Sequence, residues 1–147
     1  MQSEVFHGTV IVVHGPRQAS TQEWNEHVIE YLTRRVSGVL VVTDINYPGP
    51  TPVQRAMANA AGNKHGHYPP IAVVTASPIH RGAVIVLGWM QKGNFTAYSP
   101  ARLREAMAYA RLQPEAVVPA LNRVHELAAR VGSTWIPRVV KVRDEDS

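Results

Sequence analysis

The chain predicts an α/β fold built on a mainly parallel sheet of four to five strands with helices packed on it. Three observations carry that reading. Short β-branched runs at 8–13 (GTVIVV), 39–43 (VLVVT) and 71–75 (IAVVT) have the length of buried strands. They are apolar throughout rather than alternating, as expected of parallel strands covered on both faces. Single helical stretches separate them, and that alternation implies right-handed crossovers. Finally, three helices open on the same kind of dipeptide: Thr51-Pro52, Ser77-Pro78 and Ser99-Pro100. A hydroxyl at this position accepts a bond from an orphan N–H. Proline suits the first helical position, where its missing N–H would go unbonded.

Taken in order, the strand ending at Val13 leads into a turn, His14-Gly15-Pro16-Arg17. Ser20-x-x-Glu23 is a capping box, and Trp24, Val28, Tyr31 and Leu32 recur behind it at helical spacing, to about Arg35. Ser37-Gly38 ends that helix, and the second strand follows. A turn-rich loop, Asp44 to Pro50, precedes a second capping box, Thr51-Pro52-Val53-Gln54, whose helix frays at Gly62. After the third strand, Ser77 opens a helix with an inward stripe of Ile79, Ala83, Val86, Leu87 and Met90. Phe95–Tyr98 is a short fourth strand. Ser99 caps a helix with Leu103, Ala106, Met107 and Ala110 inward. A fifth helix carries Val117, Leu121, Val124, Ala128 and Val131, with Pro119 predicting a late start or a kink and Gly132 a stop. The apolar tail, Thr134 to Val142, admits an edge strand, a segment packed on the core, or a homodimer contact.

The 147 residues, 45% hydrophobic and 18% charged, predict one globular domain over 1–147. Its core spans about 8–112, and an extra C-terminal helix and tail span about 113–147. No cysteine is present, which excludes disulfides, thiol catalysis and thiolate metal sites. The N-terminus shows no basic stretch followed by an apolar run, and no segment reaches the roughly 20 apolar residues of a membrane span. The expectation is a cytoplasmic protein. The net charge of +4 is spread over scattered arginines such as Arg34, Arg102, Arg123 and Arg138, without a basic run carrying aromatics, so nucleic acid is not an expected partner.

Binding groups in a parallel sheet gather beyond the carboxyl ends of the strands. The loops there carry Arg17, then Asp44 to Arg55, then Ser77 to Arg81. Arg17, Arg55, His80 and Arg81, with the Thr51 and Ser77 hydroxyls and two helix starts, form a candidate anion or partner site beside Asp44. Thr51 is also a candidate phosphoacceptor, because phosphate at a helix start is stabilised there. Tyr47 and Trp89 are candidate interface residues. The seven histidines lack metal-ligand spacing, and no metal or other cofactor is expected. Neither a P-loop, nor Gly-x-Gly-x-x-Gly, nor Gly-x-Ser-x-Gly occurs. A hydrolase or transferase would have to rest on Ser77 and His80.

The stretch from Val39 to Leu112 resembles the STAS domain, the sulfate-transporter and anti-sigma-factor-antagonist family. The matching parts are VLVVT, TPVQR, IAVVTASP, Leu87-Gly88-Trp89, FTAY and Arg104-Glu105-Ala106. The Gly-Pro-Thr-Pro-x-Gln-Arg loop and Ser-Pro-Ile-His-Arg-Gly look closer to a bacterial, SpoIIAA-like branch. Where the family carries an Asp-Ser-Ser-Gly type loop, this chain has Asp44-Ile45-Asn46-Tyr47, leaving Thr51 as the hydroxyl at the helix start. One strand is evident at the N-terminus, where the family often has a hairpin. The resemblance implies a non-enzymatic regulatory or scaffold domain that binds a protein partner through the Pro48–Arg55 loop with the second helix, under phosphorylation control at Thr51. The alternative is a small-molecule module for an anionic, nucleotide or acyl ligand.

Overall fold

Two consecutive residues with positive φ, His7 at 51° and Gly8 at 81°, fold the start of the chain back on itself. A two-residue loop of this kind matches the twist of a tight β-hairpin. Its arms are β1 (Gln2–Phe6) and β2 (Thr9–His14), paired antiparallel. The N-terminus is thus a hairpin, not the single strand read from the sequence. QSEVF is only weakly apolar because β1 lies at the sheet edge.

The computed structural model describes residues 1–66, 68–77 and 94–140. Its sheet continues with β3 (Gly38–Thr43), β4 (Ile71–Val74) and β5 (Phe95–Tyr98). The strand order is β1-β2-β3-β4-β5, and β2 through β5 run parallel. The fold is therefore α/β with a mixed, mainly parallel five-stranded sheet. Thr9 and Gly38 lie against the Ala110 carbonyl: the Thr9 hydroxyl donates to it at 2.8 Å, and a Cβ on Gly38 would sit 2.1 Å from it. Only glycine allows so close an approach.

Both predicted capping boxes form. Ser20 opens α1, one helix in three parts: Thr21–Trp24, a π-wound turn at Asn25–Ile29, and Glu30–Leu32. It stops short of Arg35, where the Thr33 hydroxyl donates to the Glu30 carbonyl at 2.6 Å. Thr51 opens α2 (Pro52–His65), which runs a turn beyond the expected fraying point. Gly62 stays helical beneath the Tyr68 ring, and the left-handed Gly66 ends the helix. The helix expected from Ser77 lies, from Pro78 onward, outside the described residues.

Ser99 makes no side-chain cap. A 3-10 turn, Pro100–Arg102, leads into α3 (Leu103–Tyr109) instead. A second 3-10 turn precedes α4 (Val117–Arg130), so Pro119 neither delays nor breaks that helix. It sits in the first turn, where its N–H would lack an intrahelical acceptor. The tail forms the short helix α5 (Ile136–Val139) rather than an edge strand, and buries Ile136 and Val140.

The sheet's period of two sends alternate residues to two cores. Ile11, Val13, Leu40, Val42, Ala72 and Val74 face α3, α4 and α5 in a large, fully buried cluster. Val10, Val12, Val39 and Ile71 face α1 and α2 in a smaller one.

Candidate functional site

The strand register lays the residues of the second face in three cross-sheet rows. Val10, Val39, Ile71 and Phe95 form the row nearest the amino ends. Val12, Val41 and Val73 form the middle row, and His14 with Thr43 the row at the carboxyl ends. Over these rows lies a cavity of about 220 Å³. For scale, an engineered apolar cavity of about 150 Å³ holds benzene. The four-residue span from Val10 to His14 makes the floor roughly 13 Å long at the usual rise of a strand.

Helix α1 supplies one wall through Trp24, His27, Val28 and Tyr31. The π-wound turn lies between the first and last of these, and such turns are uncommon enough to mark sites of function. Helix α2 supplies Arg55 and Ala58, and the loop before it supplies Tyr47, Pro48, Gly49 and Pro50. The α2 side chains over this face are small (Ala58, Ala61), so they cannot fill the space above the valine rows. Gln54, 1% exposed, holds the end wall in place. Its amide donates to the Ala19 carbonyl at 2.8 Å, and its carbonyl accepts from the Thr51 N–H at 3.1 Å.

The polar groups of the cavity gather at the carboxyl ends of the strands. His14 is 3% exposed and stacks on Tyr47, ring centroids 4.0 Å apart and 16° from parallel. Trp24 lies 6.1 Å from His14 at 30°. His14 Nδ1, Trp24 Nε1 and the Tyr47 hydroxyl are buried, and none has a hydrogen-bond partner among the described residues. An unmet buried donor or acceptor costs about 1–3 kcal/mol, so three in one place are conspicuous. Burial, more than the neighbouring terminal amine, pushes the His14 imidazole down to about 3, so it is neutral at physiological pH. Burial likewise pushes the Tyr47 hydroxyl up, which keeps it a protonated donor. His27, which also lines the cavity, shares a hydrogen bond of 2.7 Å between its Nδ1 and the Ser3 hydroxyl.

Of the residues singled out in the sequence, Arg55 and Tyr47 come together here. Arg55 is half-buried, and its Nη1 donates to the Pro50 carbonyl at 2.9 Å. Tyr47 is 3% exposed, so it lines the cavity instead of presenting an outer face to a partner. Asp44 is committed elsewhere: one oxygen accepts from Ser133 Oγ at 2.6 Å, the other from the Asn46 N–H at 2.9 Å. Thr51 Oγ1 accepts from the Gln54 N–H at 3.1 Å as a cap. Arg17 is exposed on its loop. The Ser77 N–H donates to Thr75 Oγ1 at 3.2 Å. His80, Arg81 and Trp89 lie outside the described residues. Sequence reasoning missed His14 and Trp24 as site residues. The usable signal was register: His14 continues the Val10, Val12 alternation at the end of a strand.

Among the described residues, no group of three or more His, Asp or Glu side chains is placed to hold a metal ion, and no helix is long and apolar enough to cross a membrane. No protein-family model, curated protein or solved structure matches the chain.

Proposed function

We propose that this chain is a non-enzymatic, STAS-like regulatory domain that works by binding a small, largely apolar molecule between its sheet and helices α1 and α2. The observation that carries this reading is the cavity itself, with its apolar rows and its three unmet polar atoms at one end. Ligand sites have this character: mostly apolar walls with a few converging polar groups. The hairpin before the parallel strands supports the family reading, because that family often opens with one.

The test is a thermal-shift screen of the purified protein against fatty acids, aromatic acids, nucleotides, sulfate and phosphate. A ligand of the folded state at about 100 times its dissociation constant adds about 2.7 kcal/mol of stability. An upward shift with apolar compounds, lost when Val41→Trp fills the cavity, is the expected result. No shift with any apolar compound would remove the reading.

A second reading, a protein partner held by the Pro48–Arg55 loop, is favoured by two exposed apolar side chains, Ile45 just before it at 48% and Val53 within it at 62%. Phosphate on Thr51 would sit at the start of α2 and give up the hydroxyl's capping role. Thr51→Glu should alter partner capture from the native host with the fold intact. Unchanged capture would count against this surface.

A further inference from the structure

Resting on the ligand-binding reading, we infer that the occupant of the cavity is a monocarboxylate with an apolar body, its carboxylate held by Arg55 and its body lying along the valine rows. The cavity has a direction. Its amino-end row, Val10, Val39, Ile71 and Phe95, offers only hydrocarbon. Its other end collects Arg55, Tyr47, Trp24 and His14.

Charge decides the head group. Among the described lining residues Arg55 is the one Lys or Arg, and none is Asp or Glu. Among the described residues no carboxylate pairs with Arg55, and a hydrogen bond from its Nη1 to the Pro50 carbonyl holds the guanidinium at the polar end. An unpaired guanidinium beside apolar walls attracts an anion, and its planar fork matches a carboxylate. One positive charge fits one negative charge, which disfavours nucleotides and other polyanions. His14, held neutral, adds no second cation. Among the described residues the Trp24 indole N–H and the Tyr47 hydroxyl are donors without acceptors, as a carboxylate site requires. Both atoms are sealed from water in this arrangement, so the ligand reaches them only when these side chains shift.

Size narrows the body. A volume of about 220 Å³ is more than a benzene ring needs and extends over a floor roughly 13 Å long. Octanoate and 4-phenylbutyrate are suitable probes, and octanol and 4-phenylbutanol are their uncharged counterparts. Isothermal titration on the full chain would compare the two pairs in wild type, Arg55→Ala, Arg55→Lys and Val41→Trp. The acids should bind more tightly than the alcohols. Arg55→Ala should weaken the acids by about 10- to 100-fold, the range of a charge-assisted hydrogen bond, with the alcohols unchanged within about twofold. Arg55→Lys should restore part of the loss, and Val41→Trp should abolish binding of both.

Alcohol binding in Arg55→Ala shows that the cavity still forms. Equal affinity for acids and alcohols, insensitive to Arg55, would overturn the carboxylate assignment and leave the cavity reading standing. Acid binding that survives Val41→Trp would place it on the surface and overturn the assignment as well. Binding of none of the four probes by wild type would overturn both.

Discussion

On one face of the sheet, Leu40, Val42 and Val74 disappear beneath α3, α4 and α5; on the other, Val39, Val41 and Val73 line a cavity. These residues alternate along the same strands and are of the same kind. The difference comes from the helices laid over them. Helix α4 brings Leu121, Val124 and Leu127, each 2% exposed or less, down onto the strands. Helix α2 brings Ala58, Ala61 and Arg55. Burying a side chain of Val or Leu size contributes about 1.5–3 kcal/mol, so the packed face supplies most of the stability visible here. The cavity face gives up contacts that a ligand can then make.

Acid is the strongest way to separate the two faces. His14 sits on the cavity face with its folded value at about 3, below the 6.5 of an unfolded histidine. Between these values the unfolded chain binds the extra proton. The stability this group protects is therefore intact above pH 6.5 and is lost as pH falls towards 3, by an amount of the order of a few kcal/mol. The terminal amine, Glu23 and His27 also act on this imidazole. His14→Phe should flatten the acid limb in urea melts recorded from pH 7 to 4. An unchanged slope would mean the histidine is not held neutral.

Adjacent residues sharpen the comparison next. Val42→Ala, on the packed face, should cost about 2–3 kcal/mol, from lost burial plus the void left behind. Val41→Ala, whose side chain already borders empty space, should cost about 1 kcal/mol or less. Equal losses in denaturant titrations would mean the two faces are packed alike.

The most local effect concerns one wall. Thr51→Ala removes the cap of α2 and should cost about 1 kcal/mol. Hydrogen exchange should rise along Pro52–His65 while Val117–Arg130 stays protected. A uniform rise would show that the wall does not open separately.

Much of this fold was legible because its signals are local. The Ser20 and Thr51 boxes pair a cap with Glu23 or Gln54 three residues on, and both form. Three of the four parallel strands follow from their β-branched runs, and the fourth from the short Phe95–Tyr98 segment before Ser99-Pro100. The hairpin was missed because its turn is only His7-Gly8 and its outer arm is half polar. The site was less legible. Strands apolar on both faces do not reveal which face is filled, since that depends on side chains brought from distant helices. Asp44 read as a binding group, yet its partner, Ser133, is 89 residues away. Tyr47 read as an outer residue, yet from its loop it stacks on a histidine at the end of β2.

The most direct test of a ligand cavity on one face is a nuclear magnetic resonance titration of the isotope-labelled chain with octanoate. A ligand cavity confined to one face predicts saturable shifts at Val12, Val41, Val73 and Phe95, with Leu40, Val42 and Val124 unmoved. Shifts spread over both faces, or none at all, would contradict it.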